Sequence, residues 1–247
     1  MDPLARFGIW LSHAAHIRLT FLYQSGERAR MLHGIEMTIW LSIVTIVASI
    51  GIGIAGVWLL GARSAAIRRA VTAYVQFFRN TPPLVQLYFF FFALSPLLSV
   101  RGSAGYSHPL LGNIFWAAFS LSLFAGAFNV EIFRSGMEAI PRATIEAAES
   151  LGFSRAQSFV RIFFPLAFRI GLPALTNNIV NLVKTTSLAY AIAVPEMLYA
   201  ANQIWSDDLN VPEMMTFILL VYVALVGIVV WAMESLERRL KIPGYGV

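Results

Sequence analysis

The most constraining feature of this sequence is a series of apolar stretches that are long enough to cross a lipid bilayer. A membrane-spanning helix needs about 20 predominantly apolar residues. Such stretches lie near residues 35–60, 76–98, 113–133, 172–194 and 214–233. Hydrophobic residues make up 58% of the chain and charged residues 13%, whereas soluble domains carry about 25% charged residues. The sequence therefore predicts an all-α membrane protein with about five transmembrane helices.

Residues 1–33 precede the first apolar stretch and have a different character. Apolar residues such as Phe7 and Trp10 follow helical spacing, but Arg6, His13 and Arg18 interrupt them. A signal peptide needs an unbroken apolar region before its cleavage site, so we reject that interpretation. Two alternatives remain open, an amphipathic helix at the membrane interface and a loosely ordered tail.

The longest polar passage of the chain, residues 141–165, has the pattern of two short helices joined by a tight turn. Pro141 suits the first turn of a helix, where its missing N–H costs nothing. Gly152 can adopt the left-handed conformation that ends a helix. Ser154 with Gln157 three residues later is typical of a capping box that opens a second helix. We therefore predict a helix, a glycine turn and a second helix.

This passage resembles the signature loop of the membrane subunits of ATP-binding-cassette (ABC) importers, which reads Glu-Ala-Ala, three residues, Gly, nine residues and Ile-x-Leu-Pro. The matching residues are Glu146, Ala147, Ala148, Gly152, Ile162 and Pro165, with Phe164 in place of the usual Leu. The resemblance implies that the loop is a coupling helix, which docks on a cytoplasmic ATPase subunit. The alternative is a solvated amphipathic hairpin with no such role.

A second passage narrows the resemblance to one branch of these importers. Residues 76–87 contain Phe-Arg-x-Thr-Pro and Val-Gln-Leu, and they resemble the corresponding segment of the polar amino acid permeases. Tandem Pro82 and Pro83 prevent a helix from continuing through Thr81. Glu131 and Arg134 lie in a segment that also resembles this branch, and their spacing of three predicts an ion pair on one helix.

The apolar stretch at 172–194 is unusually polar, and it supplies most of the predicted substrate path. Polar side chains in a membrane span seldom face lipid and instead face protein or a water-filled path. The predicted substrate-path residues are Asn177, Asn178, Asn181, Lys184 and Glu131. Many polar amino acid permeases carry Glu where this chain has Asn178, and a neutral amide cannot hold a cationic group as a carboxylate would. The alternative is that these groups only hydrogen-bond between helices.

Other kinds of site have little support in the residues. The chain has no cysteine, and its four histidines are scattered, so we predict no metal site and no cofactor. The only lysines are Lys184 and Lys241, and neither follows the glycine run of a phosphate-binding loop. Glycines 51, 53 and 56 match a dinucleotide-binding pattern, but they lie inside an apolar run and are interpreted as sites of close helix packing. If ATP drives this protein, another chain binds the nucleotide.

The distribution of positive charge predicts an orientation in the membrane. With the N-terminus outside, the segments facing the cytoplasm contain most of the Lys and Arg residues, as the positive-inside rule requires. The C-terminus and the coupling loop, residues 135–170, then lie in the cytoplasm. We divide the chain into an N-terminal periplasmic or interfacial segment, 1–33, and a transmembrane domain, 34–247.

Taken with the resemblance, these features predict the permease subunit of a bacterial importer that depends on ATP and on a binding protein. The resemblance implies a type I importer fold in the inner membrane and a substrate that is a polar amino acid or a derivative such as an opine. It also implies three kinds of partner: ATPase subunits, a second permease subunit that is identical or homologous, and a periplasmic substrate-binding protein. A secondary transporter is the alternative, although it normally needs more spans and an internal repeat.

Overall fold

The computed structural model describes residues 2–14, 17–101 and 107–240. Within these residues the α-helices are α1 (Pro3–Ala14), α2 (Ser25–Leu60), α3 (Ala65–Asn80), α4 (Pro83–Tyr88), α5 (Asn113–Glu138), α6 (Arg142–Ser150), α7 (Arg155–Ser158), α8 (Phe164–Thr185), α9 (Met197–Asp208) and α10 (Val211–Leu240). Short 3₁₀ segments lie at Thr20–Leu22, Ser95–Leu98 and Thr186–Ile192, and π-helical segments at Phe89–Leu94 and Phe159–Phe163. Lys241, which contributes to the predicted charge asymmetry, lies outside the described residues.

Four helices are long and apolar enough to cross a membrane, namely α2, α5, α10 and the continuous helical segment Arg155–Ile192 that contains α8. A fifth candidate is the pair Ala65–Asn80 and Pro83–Leu98, which is bent by 111° at its break. The break falls at Thr81 and Pro82, because tandem prolines remove the backbone donors that a continuous helix requires. The prediction of about five spans with a proline-broken second span is therefore confirmed.

The helix that contains the first predicted span extends beyond that span toward the N-terminus. Helix α2 starts at Ser25, whereas the predicted span starts at residue 35; the division of the chain between residues 33 and 34 stays a prediction. The additional turns carry Glu27, Arg28 and Arg30, which favour helix but lack an apolar pattern. Apolar periodicity detects the part of a helix that lies in the membrane, and it misses a polar extension of the same helix.

A small hairpin is the only strand pairing among the described residues. Strand β1 (Ser99–Arg101) pairs with β2 (Ser107–Pro109) in antiparallel register, with Val100 opposite His108. The predicted all-α fold is confirmed, and the hairpin is confined to the polar loop that precedes α5.

The chain forms two compact units, which are described separately. The first unit contains the residues up to Val44 together with Leu87–Ala118 and Val183–Gly227. Its apolar core includes Phe21, Met31, Met197, Ala201, Ile204, Met214 and Ile218. This core joins the outermost turns of α2, the helix α9 and the beginning of α10.

The second unit contains Thr45–Gln86, Phe119–Leu182 and the residues from Ile228 onward. Its core includes Val57, Phe133, Phe159, Leu172, Leu175 and Ile179. Glycines of α2 allow α5 to approach closely, since a Cβ at Gly53 would lie 2.5 Å from the Cβ of Asn129 and one at Gly56 would collide with Val130. The packing interpretation of the glycine pattern is confirmed at these two positions, whereas Gly51 has open space around it.

Candidate functional site

The predicted coupling loop is a helix–turn–helix in the second unit. Pro141 is the N-cap of α6, with φ −60° and ψ 141°, and the helix proper begins at Arg142. Ala148 is buried, whereas Glu146 and Ala147 are exposed on the opposite side of α6. Leu151, the C-cap of α6, is 73% exposed. The loop thus presents a carboxylate, a methyl group and a large apolar side chain to its surroundings.

The turn after α6 has the hydrogen bonds of a Schellman motif. The Phe153 N–H donates to the Ala148 carbonyl at 3.3 Å, and the Gly152 N–H donates to the Glu149 carbonyl at 2.9 Å. Gly152 has φ +71°, a conformation that is strained for residues with a Cβ. The predicted glycine turn is confirmed, and its geometry depends on the absence of a side chain at Gly152.

The second arm of the loop is capped and anchored as the sequence indicated. The Ser154 Oγ accepts from the Gln157 N–H at 3.4 Å, and the Gln157 Oε1 accepts from the Ser154 N–H at 2.8 Å, which completes the capping box. The Arg155 guanidinium lies 5.1 Å from the ring centroid of Trp58 in α2. The Phe159 ring meets the same indole edge-on at 4.8 Å. Ile162 and Pro165 are half-buried, so they support the loop rather than form its exposed tip.

The polar residues of α8 divide between two surfaces. Asn177, Asn181 and Lys184 are spaced four and three apart along the helix and are exposed, whereas Asn178 is only 8% exposed. Of the three amides that were predicted to line the substrate path, Asn178 is therefore buried, whereas the other two are exposed. Asn177 and Asn181 lie on a polar strip of a membrane-spanning helix, a surface unsuited to lipid.

Asn178 belongs to a buried cluster that we call the amide junction, formed by Ser49, Asn129 and Asn178 of the second unit. The Asn178 Nδ2 donates to the Asn129 Oδ1 at 2.7 Å and to the Ala125 carbonyl at 3.0 Å. The Asn129 Nδ2 donates in turn to the Ser49 Oγ at 3.1 Å. The junction ties α2, α5 and α8 together. At Asn178 the structure thus favours the alternative that the sequence left open, a hydrogen bond between helices.

Glu131 forms the predicted ion pair near the end of α5. Its carboxylate accepts from the Arg134 Nη2 at 2.6 Å and from the Arg134 Nε at 3.0 Å. Arg79 lies 3.7 Å away, and Arg134 also contacts Glu138. The Glu131 side chain is 32% exposed, so the group is both paired and partly exposed. A role for Glu131 in the substrate path stays a prediction.

Sequence reasoning missed a second buried cluster, which we call the carboxyl junction, formed by Thr38, Glu196 and Tyr222 of the first unit. Glu196 is fully buried as the N-cap of α9, and its carboxylate accepts from the N–H groups of Leu198 at 3.0 Å and Tyr199 at 2.8 Å. The Tyr222 hydroxyl lies 3.5 Å from the Glu196 Oε2. The Thr38 Oγ1 accepts from the Met197 N–H at 3.0 Å. A Glu directly before a helix was the available signal, because an acceptor there satisfies free backbone donors.

Glu196 lies between the membrane-spanning segments in the sequence, and its environment favours the protonated form. Burial raises the pKa of the Glu196 carboxyl to about 7, although the hydrogen bonds from the Leu198 and Tyr199 amides act in the opposite direction. Desolvation dominates because the side chain is fully buried. Among the residues that the structure describes, no three His, Asp or Glu side chains come together as a metal site would require.

The sequence resembles known membrane transport proteins over most of its length. Residues 48–242 match the family described as "Binding-protein-dependent transport system inner membrane component". The chain is 32% identical to the probable glutamine ABC transporter permease protein GlnM of Bacillus subtilis, over 80% of this chain and 90% of that protein. It is 35% identical to the octopine transport system permease protein OccM of Rhizobium radiobacter, over 68% of each. The glutamate/aspartate import permease protein GltJ of Escherichia coli is 27% identical over 96% of each.

Solved structures share the fold. The crystal structure of an amino acid ABC transporter with histidines superposes with a TM-score of 0.74 at 23% identity, covering 90% of this chain and 99% of that one. A structure of the MetNI methionine ABC transporter in an inward-facing conformation superposes with a TM-score of 0.70 at 18% identity, covering 89% and 100%. The likeness confirms the predicted type I importer fold.

Proposed function

We propose that this chain is the membrane subunit of an importer for polar amino acids. The proposal rests on the family, because the chain belongs to the binding-protein-dependent transport system inner membrane components. It is a permease subunit of the inner membrane, and its ATPase is a separate partner. The proposed cargo is a polar amino acid or a derivative such as an opine. Relatives named for glutamine, octopine and glutamate/aspartate support this class. They differ in the charge of their substrates, so their names do not single out one amino acid.

The observation that carries the proposed mechanism is the exposed helix–turn–helix. We infer that α6 docks on the ATPase through Glu146, Ala147 and Leu151, which lie on the outside of the loop. The second arm is held on α2 through the contacts of Arg155 and Phe159 with Trp58. A displacement of α6 by the ATPase would therefore be passed to a membrane-spanning helix through packed side chains. In this proposal the chain itself binds no nucleotide, and the ATPase subunit binds and hydrolyses ATP.

The polar strip of α8 supports an aqueous path or a subunit interface. Asn177 and Asn181 are exposed on a membrane-spanning helix, and polar side chains on such a helix seldom face lipid. We infer that this strip faces the substrate path or a second permease subunit, identical or homologous to this chain. Lys184 lies one turn further along the same helix face. Neutral amides suit the hydrogen-bonding groups of a polar amino acid, and the external binding protein would supply further selectivity.

The coupling proposal is tested by two substitutions in the loop. Gly152→Val should abolish most ATP-driven uptake, because valine resists the positive φ at this position. Glu146→Lys should do the same, because it reverses a charge at the docking surface. ATP hydrolysis and uptake are measured together in proteoliposomes that contain the complete transporter and its binding protein.

Two matched controls make the result specific. Gly26→Val adds the same side chain at a helical glycine that also has open space around it. Glu36→Lys makes the same change of charge at an exposed position of α2, outside the loop. Both controls should retain uptake. Wild-type uptake in Gly152→Val and Glu146→Lys would contradict the coupling role, and uptake by the permease without any ATPase would favour a secondary transporter.

A further inference from the structure

The N-terminal helix α1 has its small residues inside and its large apolar residues outside. Ala5 and Gly8 are buried, and a Cβ at Gly8 would lie 2.7 Å from the Cβ of Leu22. Leu4, Phe7 and Trp10 are between 53% and 60% exposed and recur every three residues on the other side. This is the reverse of a helix packed on a soluble core, so the outward face is built for an apolar environment.

The same helix carries polar groups at the edge of its apolar face. Arg6 and His13 are exposed, and they lie four and three residues from Trp10, so they are its neighbours on the helix surface. The Phe7 and Trp10 rings are stacked with centroids 6.1 Å apart. Tryptophan and basic residues at the border of an apolar helix face are typical of a helix that lies in the plane of a membrane interface.

Hydrogen bonds tie the segment after α1 to the beginning of the membrane span α10. The Asn210 Nδ2 donates to the Arg18 carbonyl at 2.7 Å and to the Thr20 Oγ1 at 3.3 Å. The Arg18 N–H donates to the Glu213 Oε1 at 3.4 Å. Further along α10, Leu219, Leu220 and Val223 are more than 60% exposed. The N-terminal segment is therefore held at the end of a span, where lipid headgroups lie.

An apolar groove connects the two surfaces. It has a volume of about 340 Å³ and is lined by Leu11, Ile17 and Leu19 from the N-terminal segment and by Pro212, Glu213, Thr216, Phe217 and Leu220 from α10. A groove of this size is at the lower end of the range of ligand pockets. One side of it continues through Leu220 into the exposed apolar surface of α10, a candidate membrane span. An acyl chain can therefore enter the groove from the bilayer without crossing water.

We propose that this surface is a phospholipid-binding site: α1 lies in the headgroup region with Leu4, Phe7 and Trp10 immersed, and the groove takes part of one acyl chain. The leaflet is the one opposite the coupling loop, because the chain crosses the membrane once, within the segment Arg155–Ile192, between the Gly152 turn and α10. The occupant is lipid because the groove opens onto the bilayer-facing side of a span. The site ties α1 and residues 17–20 to the membrane and thereby holds the end of α10.

The test uses the natural absence of cysteine from the chain. Phe7→Cys and Leu11→Cys variants are labelled with bimane and reconstituted as the complete transporter in phosphatidylcholine nanodiscs. Ser206→Cys, an exposed polar position on α9, is the matched control. We expect a doxyl group placed near the carbonyl end of the lipid to quench the probes at Phe7 and Leu11 but not at Ser206. Aqueous iodide should quench only the Ser206 probe.

Other outcomes overturn the proposal in distinguishable ways. Quenching of the Phe7 probe by iodide alone would show a solvated helix. A Phe7 probe that neither lipid nor iodide quenches would show a protein partner, either the second permease or the binding protein. A Leu11 probe that lipid does not quench would exclude the acyl chain from the groove. The double variant Phe7→Ser with Trp10→Ser provides a second test, because it removes no buried contact and should weaken lipid quenching of a probe at Leu4.

Discussion

Each of the two buried polar junctions joins three helices, but the two use different chemical groups. In the second unit, the amide junction joins α2, α5 and α8 through neutral groups. In the first unit, the carboxyl junction joins α2, α9 and α10 through one acidic group that caps a helix. A neutral cluster with paired donors and acceptors is insensitive to pH, whereas a buried carboxyl changes its charge. Two clusters that are equally buried can therefore respond differently to a change of pH.

The largest expected difference between the junctions is a pH dependence of stability. Burial raises the pKa of Glu196 from its ordinary value of 4.5 to about 7, so the folded protein retains a proton that the unfolded chain has released. The free energy of unfolding should fall as the pH rises through this window, by about 3 kcal/mol at about 1.4 kcal/mol per pKa unit. Above the folded pKa the contribution is constant. Denaturant unfolding in detergent at a series of pH values measures the change.

Two variants test which of the two junctions causes the pH dependence of the free energy of unfolding. Glu196→Gln keeps an oxygen acceptor for the N-terminus of α9 but cannot titrate, so it should lose most of the fall in stability. Asn178→Leu alters the neutral junction and should keep the wild-type slope. If Glu196→Gln shows the wild-type slope, another group causes the pH dependence and the comparison fails.

The second prediction concerns the amide junction itself. Asn178→Leu should lower the free energy of unfolding by about 2 kcal/mol, because it leaves the buried Asn129 Oδ1 without its donor. Asn177→Leu is the matched control on the exposed strip of the same helix. It should leave stability nearly unchanged but reduce uptake by the complete transporter, as expected for a path or interface residue. Equal stability losses in both variants would remove the distinction between the two surfaces.

The smallest effect is expected at the ion pair of α5, which is polar but partly exposed. Glu131→Gln should lower the free energy of unfolding by less than about 1 kcal/mol, because solvent screens a pair whose members are about one-third exposed. Added salt should reduce the effect further. A double-mutant cycle with Arg134→Gln measures the pairwise term. A loss as large as that in Asn178→Leu would show that partial exposure does not weaken this cluster.

Local features of the coupling loop were predictable from the sequence in detail. The Schellman turn at Gly152 and the capping box at Ser154 and Gln157 involve hydrogen bonds within a few residues. The break at Pro82 is local in the same sense, because the proline rings forbid the continuous helix. Such features depend on backbone chemistry over short distances, and their residue types therefore report them directly.

The partners of the polar side chains were not predictable in the same way. Three asparagines of α8 looked equivalent as candidates for a substrate path, although Asn178 lies off the face shared by Asn177 and Asn181. Nothing in the sequence indicated that Asn129, 49 residues earlier, would face Asn178. The role of Glu196 was missed for the same reason, since its burial depends on Thr38 and Tyr222 from distant parts of the chain.

The sequence by itself determined the membrane class, the number of spans and the shape of the coupling loop, because apolar length, proline and glycine act locally. Only the tertiary structure decided which polar groups are buried partners and which remain exposed. Helical periodicity assigns a residue to a face, but the neighbour of that face is set by contacts between residues far apart in the chain. Asn178 and Asn177 are adjacent in sequence, and packing of α5 against α8 made the first a buried bridge and left the second on the exposed strip.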